Sequence, residues 1–228
     1  MVSVIQDKKP VIAVIGGTGD LGSGLARLWA MAGYPVLLGS RAKNKAETAA
    51  QELSLQIGAD VRGDDNRSAA QAADVVVLCV PYSNHDAILQ DIKPVMAGKV
   101  LVDAVVPLVP PKVSVVQLPA AGSPALVAQR VLGADVRVAS AFHNVGAKKL
   151  HAGEKVDCDV LVFAEDADVR EQVIALADVV ATRGVDGGVL ANTVAAEALT
   201  SVLIAINRRY KILGAGIRIT GLPVSDVR

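Results

Sequence analysis

The sequence predicts an α/β protein built on a doubly wound, mostly parallel sheet. Short runs of valine, isoleucine and leucine alternate along the chain with alanine-rich amphipathic stretches. Strands covered on both faces of a parallel sheet have this aliphatic composition, and the stretches between them suit crossover helices. A glycine-rich turn also joins the first aliphatic run to the first amphipathic stretch, as expected where a first crossover begins.

The predicted elements follow one another in a regular order. Strands are predicted at residues 11–15, 35–39, 74–80, 99–105, 136–141 and 159–164. Helices are predicted at residues 20–33, 42–53, 66–73, 83–97, 123–132, 167–180 and 190–211. Crossovers between parallel strands are right-handed, and those of a doubly wound sheet place helices on both of its faces. The proline-rich stretch 107–124 is expected to be a long ordered connection.

The chain is expected to divide near residue 146. Two charged segments, residues 147–157 and 165–171, follow that point and precede the last, long apolar helix. We therefore assign residues 1–146 to a dinucleotide-binding domain. Residues 147–228 are assigned to a small C-terminal domain.

Composition excludes some classes of function. The chain has 228 residues with 23 basic and 23 acidic side chains, so it lacks the positive field of a non-specific nucleic-acid binder. The first ten residues have no apolar core of a secretory signal. Cys79 and Cys158 each lie in an apolar run, which favours a reducing, cytoplasmic compartment. The apolar stretch 189–207 contains Asn192 and Glu197; we interpret it as a buried helix, with a membrane helix as the alternative.

The strongest motif is the turn after the first strand. Gly17, Gly19 and Gly22 match G-x-G-x-x-G between a strand and an amphipathic helix, the context that makes this pattern specific. Gly17 is expected to allow the tight turn, Gly19 to leave room for a pyrophosphate, and Gly22 to let the helix approach the strand. N–H groups at the helix start would bind the phosphates. The motif predicts a Rossmann-type nucleotide site; a glycine-rich turn without a ligand is the alternative.

The end of the second strand indicates which coenzyme binds. Gly39, Ser40 and Arg41 stand there, where NAD-preferring sites usually carry an acidic residue. Ser40 can donate a hydrogen bond to a 2'-phosphate, and Arg41 and Lys45 add cationic donors. We therefore predict NADP(H) rather than NAD(H), the alternative being that both cations merely solvate a helix start.

Side chains that supply protons or bind metals in other reductases are missing. None of the tyrosines at positions 34, 82 and 210 has a lysine four residues later, as short-chain dehydrogenases require. The segment 190–207 also lacks the lysine that β-hydroxyacid dehydrogenases place on the corresponding helix. The histidines do not fall at metal-ligand spacings with either cysteine. The sequence predicts no catalytic side chain and no metal.

A hydride acceptor that is itself a coenzyme would need little acid-base assistance. Transfer between two rings depends on proximity, stacking and the exclusion of water. Small residues at 143–147 (HNVGA) and 214–217 (GAGI) would let a flat ring lie against the backbone. Tight turns in packed protein are the alternative interpretation of both segments.

Several segments together resemble the NADPH:coenzyme F420 oxidoreductase family. They are GGTGDLGSGLA at 16–26, GSRAKNKAE at 39–47, CVPYSNH at 79–85, AFHNVGA at 141–147 and ALTSVLIAINRRYKILGAGIRITGL at 198–222. The likeness extends from residue 11 to about residue 222. It implies a hydride-transferring oxidoreductase that uses NADP(H) and takes the deazaflavin coenzyme F420 as its second substrate.

The resemblance also implies two groups of binding residues. For NADP they are Thr18, Gly19, Asp20 and Leu21 at the pyrophosphate and ribose, Ser40, Arg41 and Lys45 at the 2'-phosphate, Val80, Pro81 and Tyr82 along the path to the nicotinamide, and the Ala147 amide at its end. For the deazaflavin ring they are His143, Val145, Thr200, Asn207, Ala215 and Gly216. A core role is the alternative for His143, and a bond back to its own helix is the alternative for Thr200. A reductase of another acceptor (flavin, pterin or cyclic imine) and a non-catalytic NADP(H)-sensing protein are the alternative functions.

The last helix is expected to need a partner. Apolar residues cover more than one of its faces, so either the small domain buries it or it meets its copy in a two-fold dimer. We favour the homodimer, and expect no nucleic-acid or membrane partner. The basic residues after Glu197 are Arg208, Arg209, Lys211 and Arg218, with no acid before Asp226. They would attract an anionic coenzyme or, alternatively, only cap the helix.

Overall fold

The computed structural model describes residues 9–222 of the chain. The prediction that the first residues carry no secretory signal therefore lies almost entirely outside the described residues, as does Asp226. The strands are β1 (Ile12–Ile15), β2 (Val36–Ser40), β3 (Val61–Asp65), β4 (Val75–Leu78), β5 (Val100–Asp103), β6 (Arg137–Ser140), β7 (Val156–Ala164) and β8 (Ala181–Asp186). The α-helices are α1 (Asp20–Met31), α2 (Lys43–Ile57), α3 (Asn66–Ala72), α4 (His85–Ile92), α5 (Pro124–Leu132), α6 (Ala147–Leu150), α7 (Ala167–Val180) and α8 (Thr193–Tyr210).

The strands form one sheet in the order β3-β2-β1-β4-β5-β6-β7-β8. All neighbouring strands are parallel except β6 and β7, which are antiparallel. The first six strands have the order of a Rossmann fold, so the predicted fold class is confirmed. Because β7 and β8 extend the same sheet, the sheet continues past residue 146, and the division of the chain there stays a prediction.

Two apolar layers cover the faces of the sheet. In β1, Ile12 and Val14 pack with buried residues of α1, α2 and α7. Ala13 and Ile15 face the opposite side, where they pack with α3, α4 and α5. Both sets of side chains are fully buried, which explains why the central strands are continuous aliphatic runs.

Two strands that the sequence analysis missed lie at the edges of the sheet. β3 reads VRGDD, and Val61 is its only fully buried residue. β8 reads ATRGVD and buries only Ala181. Edge strands of this kind lack the aliphatic run used to find the central strands. The short helix α6 was not predicted either, and the helix predicted at 83–97 is α4 flanked by 3-10 turns at Tyr82–Asn84 and Lys93–Val95.

The last helix is less buried than the sequence analysis expected. The segment Leu190–Tyr210 is long and apolar enough to cross a membrane by length and composition, and 33% of that apolar window is buried. Val202, near its middle, is 44% exposed. The expectation of a helix buried within the chain is therefore wrong for this face, because no other part of residues 9–222 covers it.

Candidate functional site

The turn between β1 and α1 is built from close backbone contacts. Gly16 has a φ of +82°, and a Cβ at that position would lie 2.3 Å from the Cys79 carbonyl oxygen. Gly17 donates to the Val14 carbonyl over 3.1 Å, closing the turn around Gly16. The positive-φ residue of the turn is Gly16, and Gly17 follows it within the same turn. Gly17 is required for a different reason, because a Cβ there would lie 2.8 Å from the Val14 carbonyl oxygen.

The next two glycines shape the start of α1. Gly19 is the N-cap and provides no side-chain cap, so the first N–H groups of the helix have neither an intrahelical acceptor nor a capping oxygen. A Cβ on Gly22 would lie 2.6 Å from the Gly16 carbonyl oxygen. Gly22 therefore lets α1 pack against the turn that directly follows β1, in keeping with the expectation of a close approach of the helix to the strand. This geometry suits an anion, since the positive end of the helix dipole is uncovered.

A cavity of about 200 Å³ opens beside this turn, at the carboxyl ends of the central strands. Of the predicted residues, it is lined by Thr18, Gly19, Ser40, Arg41, Val80 and Pro81. The other lining residues were not predicted from the sequence; they are Gly16, Asn66, Cys79, Asn84 and Ile88. They lie in turns and helix starts that follow different strands, and the parallel strands bring them to one edge.

The predicted phosphate-binding cations are free to meet a ligand. Within residues 9–222, neither Arg41 nor Lys45 forms an ion pair, whereas Lys43 pairs with Asp64 at 2.9 Å. Arg41 lines the cavity just described. Lys45 lines an adjoining cavity of about 290 Å³ that shares Thr18 with it. The Ser40 hydroxyl accepts from the Ala42 amide over 3.4 Å, which holds it at the end of β2.

Besides Gly17 and Gly22, the predicted residues Asp20, Leu21 and Tyr82 do not line the cavity. Asp20 and Leu21 lie in the first turn of α1, and the Asp20 carboxylate is 4.0 Å from the His151 imidazole. Tyr82 begins the 3-10 turn after β4, and its ring centroid is 6.5 Å from that of His85. Burial raises the pKa of the Tyr82 hydroxyl, so this phenol stays neutral at physiological pH.

A second group of predicted residues meets in the loop after β6. Phe142 has a φ of +68° and packs edge-on against Trp29, with ring centroids 5.6 Å apart. This contact holds the next residue, His143, in place. The His143 ring is 2.9 Å from the Ser140 hydroxyl, and its carbonyl accepts from the Thr200 hydroxyl over 2.8 Å. Thr200 therefore bonds to this loop rather than to its own helix.

Burial lowers the pKa of His143 to about 4, so its ring is neutral at physiological pH. Val145, two residues further on, donates its amide to the Phe142 carbonyl over 3.3 Å. This bond closes the loop just before Gly146, the N-cap of α6, and Ala147, its first residue. The residues after His143 therefore form a closed turn that leads into α6.

The other small-residue segment lies against this loop. Asn207, in the last turn of α8, accepts from the Ala215 amide over 2.8 Å. A Cβ on Gly146 would lie 3.1 Å from the Gly214 Cα, and one on Gly216 would lie 2.5 Å from the Cys158 Cβ. The two segments predicted to hold a flat ring therefore meet, and their glycines permit close backbone approach.

The two groups of residues lie along the same edge of the sheet, the one formed by the carboxyl ends of the parallel strands. The cavity lies at the ends of β1 and β4, and the His143 loop follows β6, two strands from β4. That separation is about 10 Å, given the spacing of neighbouring strands. The helix after the His143 loop also contacts α1, where a Cβ on Gly24 would lie 2.6 Å from that of Leu150. A nucleotide extending along this edge would thus run from the glycine turn towards His143.

Between the two groups lies a buried polar network that the sequence analysis did not predict. His85 and Asp103 are each 1% exposed and form an ion pair at 2.7 Å. The Ser140 and Thr193 hydroxyls are 2.6 Å apart, and Thr193 donates to Glu197 over 3.3 Å. Burial and the Asp103 charge raise the pKa of Glu197 to about 8. The sequence signal was Glu197 itself, an acid within an apolar helix.

Comparisons with known proteins agree with this geometry. Residues 11–107 match the family model described as NADP oxidoreductase, coenzyme F420-dependent. The chain is 40% identical over 224 residues to an F420-dependent NADP reductase of Methanothermobacter thermautotrophicus, covering 94% of this chain and 97% of that protein. It is 40% identical to a protein of the same name from Methanocaldococcus jannaschii, covering 93% and 99% of the two chains.

Solved structures show the same fold. A crystal structure from Arthrobacter sp. FB24, provisionally described as an F420-dependent NADP reductase, superimposes with a TM-score of 0.76 at 23% identity and covers 92% of this chain and 99% of that one. An imine reductase from Myxococcus stipitatus gives a TM-score of 0.60 at 22% identity, covering 89% of this chain and 62% of that one. At these identities the likeness concerns the fold alone.

Proposed function

Since the chain belongs to the family of F420-dependent NADP reductases, we propose that it transfers a hydride between NADP(H) and coenzyme F420. It is an NADP-dependent oxidoreductase, with NADP(H) as coenzyme and F420 as second substrate. One observation carries this function: the glycine turn, Ser40 and Arg41 line one cavity, and two small-residue segments meet further along the same edge of the sheet. The comparisons do not favour another acceptor or a non-catalytic sensor.

In this proposal the NADP diphosphate lies over Gly17, Gly19 and Gly22, at the start of α1. The uncovered N–H groups there and the helix dipole stabilise its charge. Thr18, Asp20 and Leu21 contact the pyrophosphate and ribose. Ser40, Arg41 and Lys45 bind the 2'-phosphate, which is supported by the absence of a competing ion pair on either cation within the described residues. Val80, Pro81 and Tyr82 line the path towards the nicotinamide.

The deazaflavin ring is proposed to lie against the surface where the two small-residue segments meet. His143 and Val145 from one segment, Ala215 and Gly216 from the other, and Thr200 and Asn207 from α8 surround it, while the Ala147 amide meets the nicotinamide. The hydrogen bonds of Thr200 to the His143 carbonyl and of Asn207 to the Ala215 amide support this arrangement, because they fix both segments before the ligand arrives. F420 supplies the ring that accepts or gives up the hydride.

No side chain is proposed to act as acid or base in the hydride step. The protein holds the two rings in contact and keeps water away, which is sufficient for transfer between two coenzymes. The neutral state of His143, whose pKa is lowered to about 4 by burial, fits a positioning role. The catalytic contribution is therefore orientation.

The remaining proposals concern the C-terminal part. We propose that residues 147–228 form the small domain that completes the F420 site, and that two copies meet through α8. Ala195, Val202 and Arg209 lie seven residues apart on one exposed face, so the surface they mark is continuous along the helix. The exposed Arg208, Arg209, Lys211 and Arg218 are proposed to attract the anionic coenzyme. We further propose a cytoplasmic enzyme without nucleic-acid or membrane partners.

Turnover of the two coenzymes tests the function. Purified protein is mixed with NADPH and oxidised F420, and the absorbance of the deazaflavin is followed. Bleaching that requires both enzyme and NADPH is the expected result. If NADPH binds by calorimetry but the deazaflavin absorbance does not change, the assignment is wrong, and a screen of flavin, pterin and cyclic imine acceptors then identifies the substrate.

A further inference from the structure

One residue of the nucleotide cavity has a polar group that the protein leaves unsatisfied. Asn66 lines the cavity together with Ser40 and Arg41. It is 3% exposed, and among the described residues its carbonyl oxygen has no hydrogen-bond partner. A buried amide oxygen without a partner is rare and costs free energy. Asn66 is therefore a candidate for an interaction that forms only when a ligand is bound.

The fold places Asn66 beside the end of β2. Ser40 pairs with Asp65 in the parallel ladder, so the next residue, Asn66, reaches the cavity edge. The Asp65 carboxylate is already used, since it accepts from the Ser68 amide over 2.9 Å and from the Ser68 hydroxyl over 2.8 Å. Because Asp64 pairs with Lys43, the Asn66 amide is the uncommitted polar group at this end of β3.

The absence of a side chain at Gly39 leaves space for the Asn66 amide. A Cβ at position 39 would lie 3.2 Å from the Asn66 carbonyl oxygen, which is tighter than ordinary packing. The other walls of the cavity include Val80, Pro81 and Ile88, which are apolar. A flat ring packed against these apolar walls would share the cavity with the Asn66 amide.

The chemistry of the amide distinguishes a base from a phosphate. A side-chain amide offers an acceptor and donors side by side, which matches the amino group and N7 of adenine. A phosphate has only acceptors, so it cannot satisfy the Asn66 carbonyl oxygen, and it is already served by Ser40 and Arg41. We propose that Asn66 reads the adenine base of NADP(H), with its carbonyl oxygen accepting from the amino group and its amide donating to N7. This inference rests on the proposed function.

The test compares NADPH with the analogue in which hypoxanthine replaces adenine, so that a carbonyl replaces the amino group. Wild-type protein should bind NADPH at least about tenfold more tightly than the analogue, as measured by calorimetry, because a good bidentate contact discriminates by about that factor or more. Asn66→Ala should weaken NADPH by a similar factor and the analogue by less, because the analogue can lose only the contact of the amide with N7. The preference for adenine should therefore disappear.

Two further variants separate base recognition from structure. Asn66→Asp keeps the shape and the acceptor but loses the donor, so it should weaken both nucleotides and still prefer adenine. Gln71→Ala, on the exposed side of the same helix, should change neither affinity.

Three outcomes would overturn the proposal. Equal losses for NADPH and the hypoxanthine analogue in Asn66→Ala would show that Asn66 does not read the base. A loss for NADPH with none for NADH would assign Asn66 to the 2'-phosphate instead. If the wild-type protein binds neither NADPH nor the analogue, the proposed function itself is wrong. If the wild-type protein binds both nucleotides equally tightly, only the inference about Asn66 is wrong.

Discussion

Replacing Glu197 by glutamine is expected to change how the stability of the protein depends on pH. The Glu197 side chain is 1% exposed, and burial together with the Asp103 charge raises its pKa from 4.5 to about 8. Between these two values the folded protein holds a proton on Glu197 that the unfolded chain releases. The free energy of unfolding therefore falls as the pH rises through this window, because the folded state binds more protons.

The size of the effect follows from the width of the window. Each pKa unit corresponds to about 1.4 kcal/mol, so raising the pH from 6 to 9 should cost the wild type on the order of 3 kcal/mol through Glu197. Glu197→Gln cannot ionise and should lack this loss. The neighbouring groups of the network, Asp103, His85 and His143, are present in both proteins, so the difference between the two curves isolates Glu197.

Urea unfolding followed by circular dichroism at several pH values measures this difference. The exposed Glu171 on α7 provides a matched control, and Glu171→Gln should follow the wild-type curve. Parallel curves for the wild type and Glu197→Gln between pH 6 and pH 9 would refute the reasoning, since they would mean that Glu197 is already ionised at pH 6.

Three further predictions follow from the site and from α8. Arg41→Ala should weaken NADPH by about 1.5 to 3 kcal/mol through a lost charge-assisted hydrogen bond and leave NADH nearly unchanged in calorimetry; equal losses would show that Arg41 does not meet the 2'-phosphate. Gly22→Ala should weaken the binding of NADPH at least about tenfold, because the new Cβ would lie 2.6 Å from the Gly16 carbonyl oxygen and would displace the helix start that binds phosphate. Unchanged binding would show that this turn does not contact the nucleotide. Val202→Glu should convert the proposed dimer to a monomer of 23.5 kDa in light scattering, and Leu55→Glu, at a residue 80% exposed on α2, should not; a wild type that is already monomeric would exclude the proposed dimer.

The central elements of the fold were predictable because their burial is evident from the local pattern of apolar residues. β1, β4 and β5 are short aliphatic runs with both faces covered, and the helices between them have a regular apolar period. β3 and β8 were missed because an edge strand pairs on one side and keeps polar residues. The pairing of β3 with β2 depends on tertiary contacts, such as the approach of Gly63 to the Ala46 backbone.

The candidate site likewise has parts that could be predicted from the sequence and parts that could not. The glycine turn and the Ser40–Arg41 pair were found from sequence because their spacing has a local cause, the geometry of a strand-turn-helix unit. The positive φ at Gly16 was not predicted, since spacing does not tell two adjacent glycines apart. The ion pair of His85 with Asp103 and the contact of Ser140 with Thr193 join residues 18 and 53 positions apart. Only the assembled sheet brings such residues together.

Isotope transfer tests the central claim most directly. NADPH carrying deuterium at the transferring position of the nicotinamide is incubated with the enzyme and oxidised F420 in ordinary water, and the reduced F420 is analysed by mass spectrometry. Direct transfer between the two rings predicts that the reduced coenzyme carries one deuterium. Reduced F420 without the label, or label released into water, would contradict the account, because the hydride would then have passed through another group.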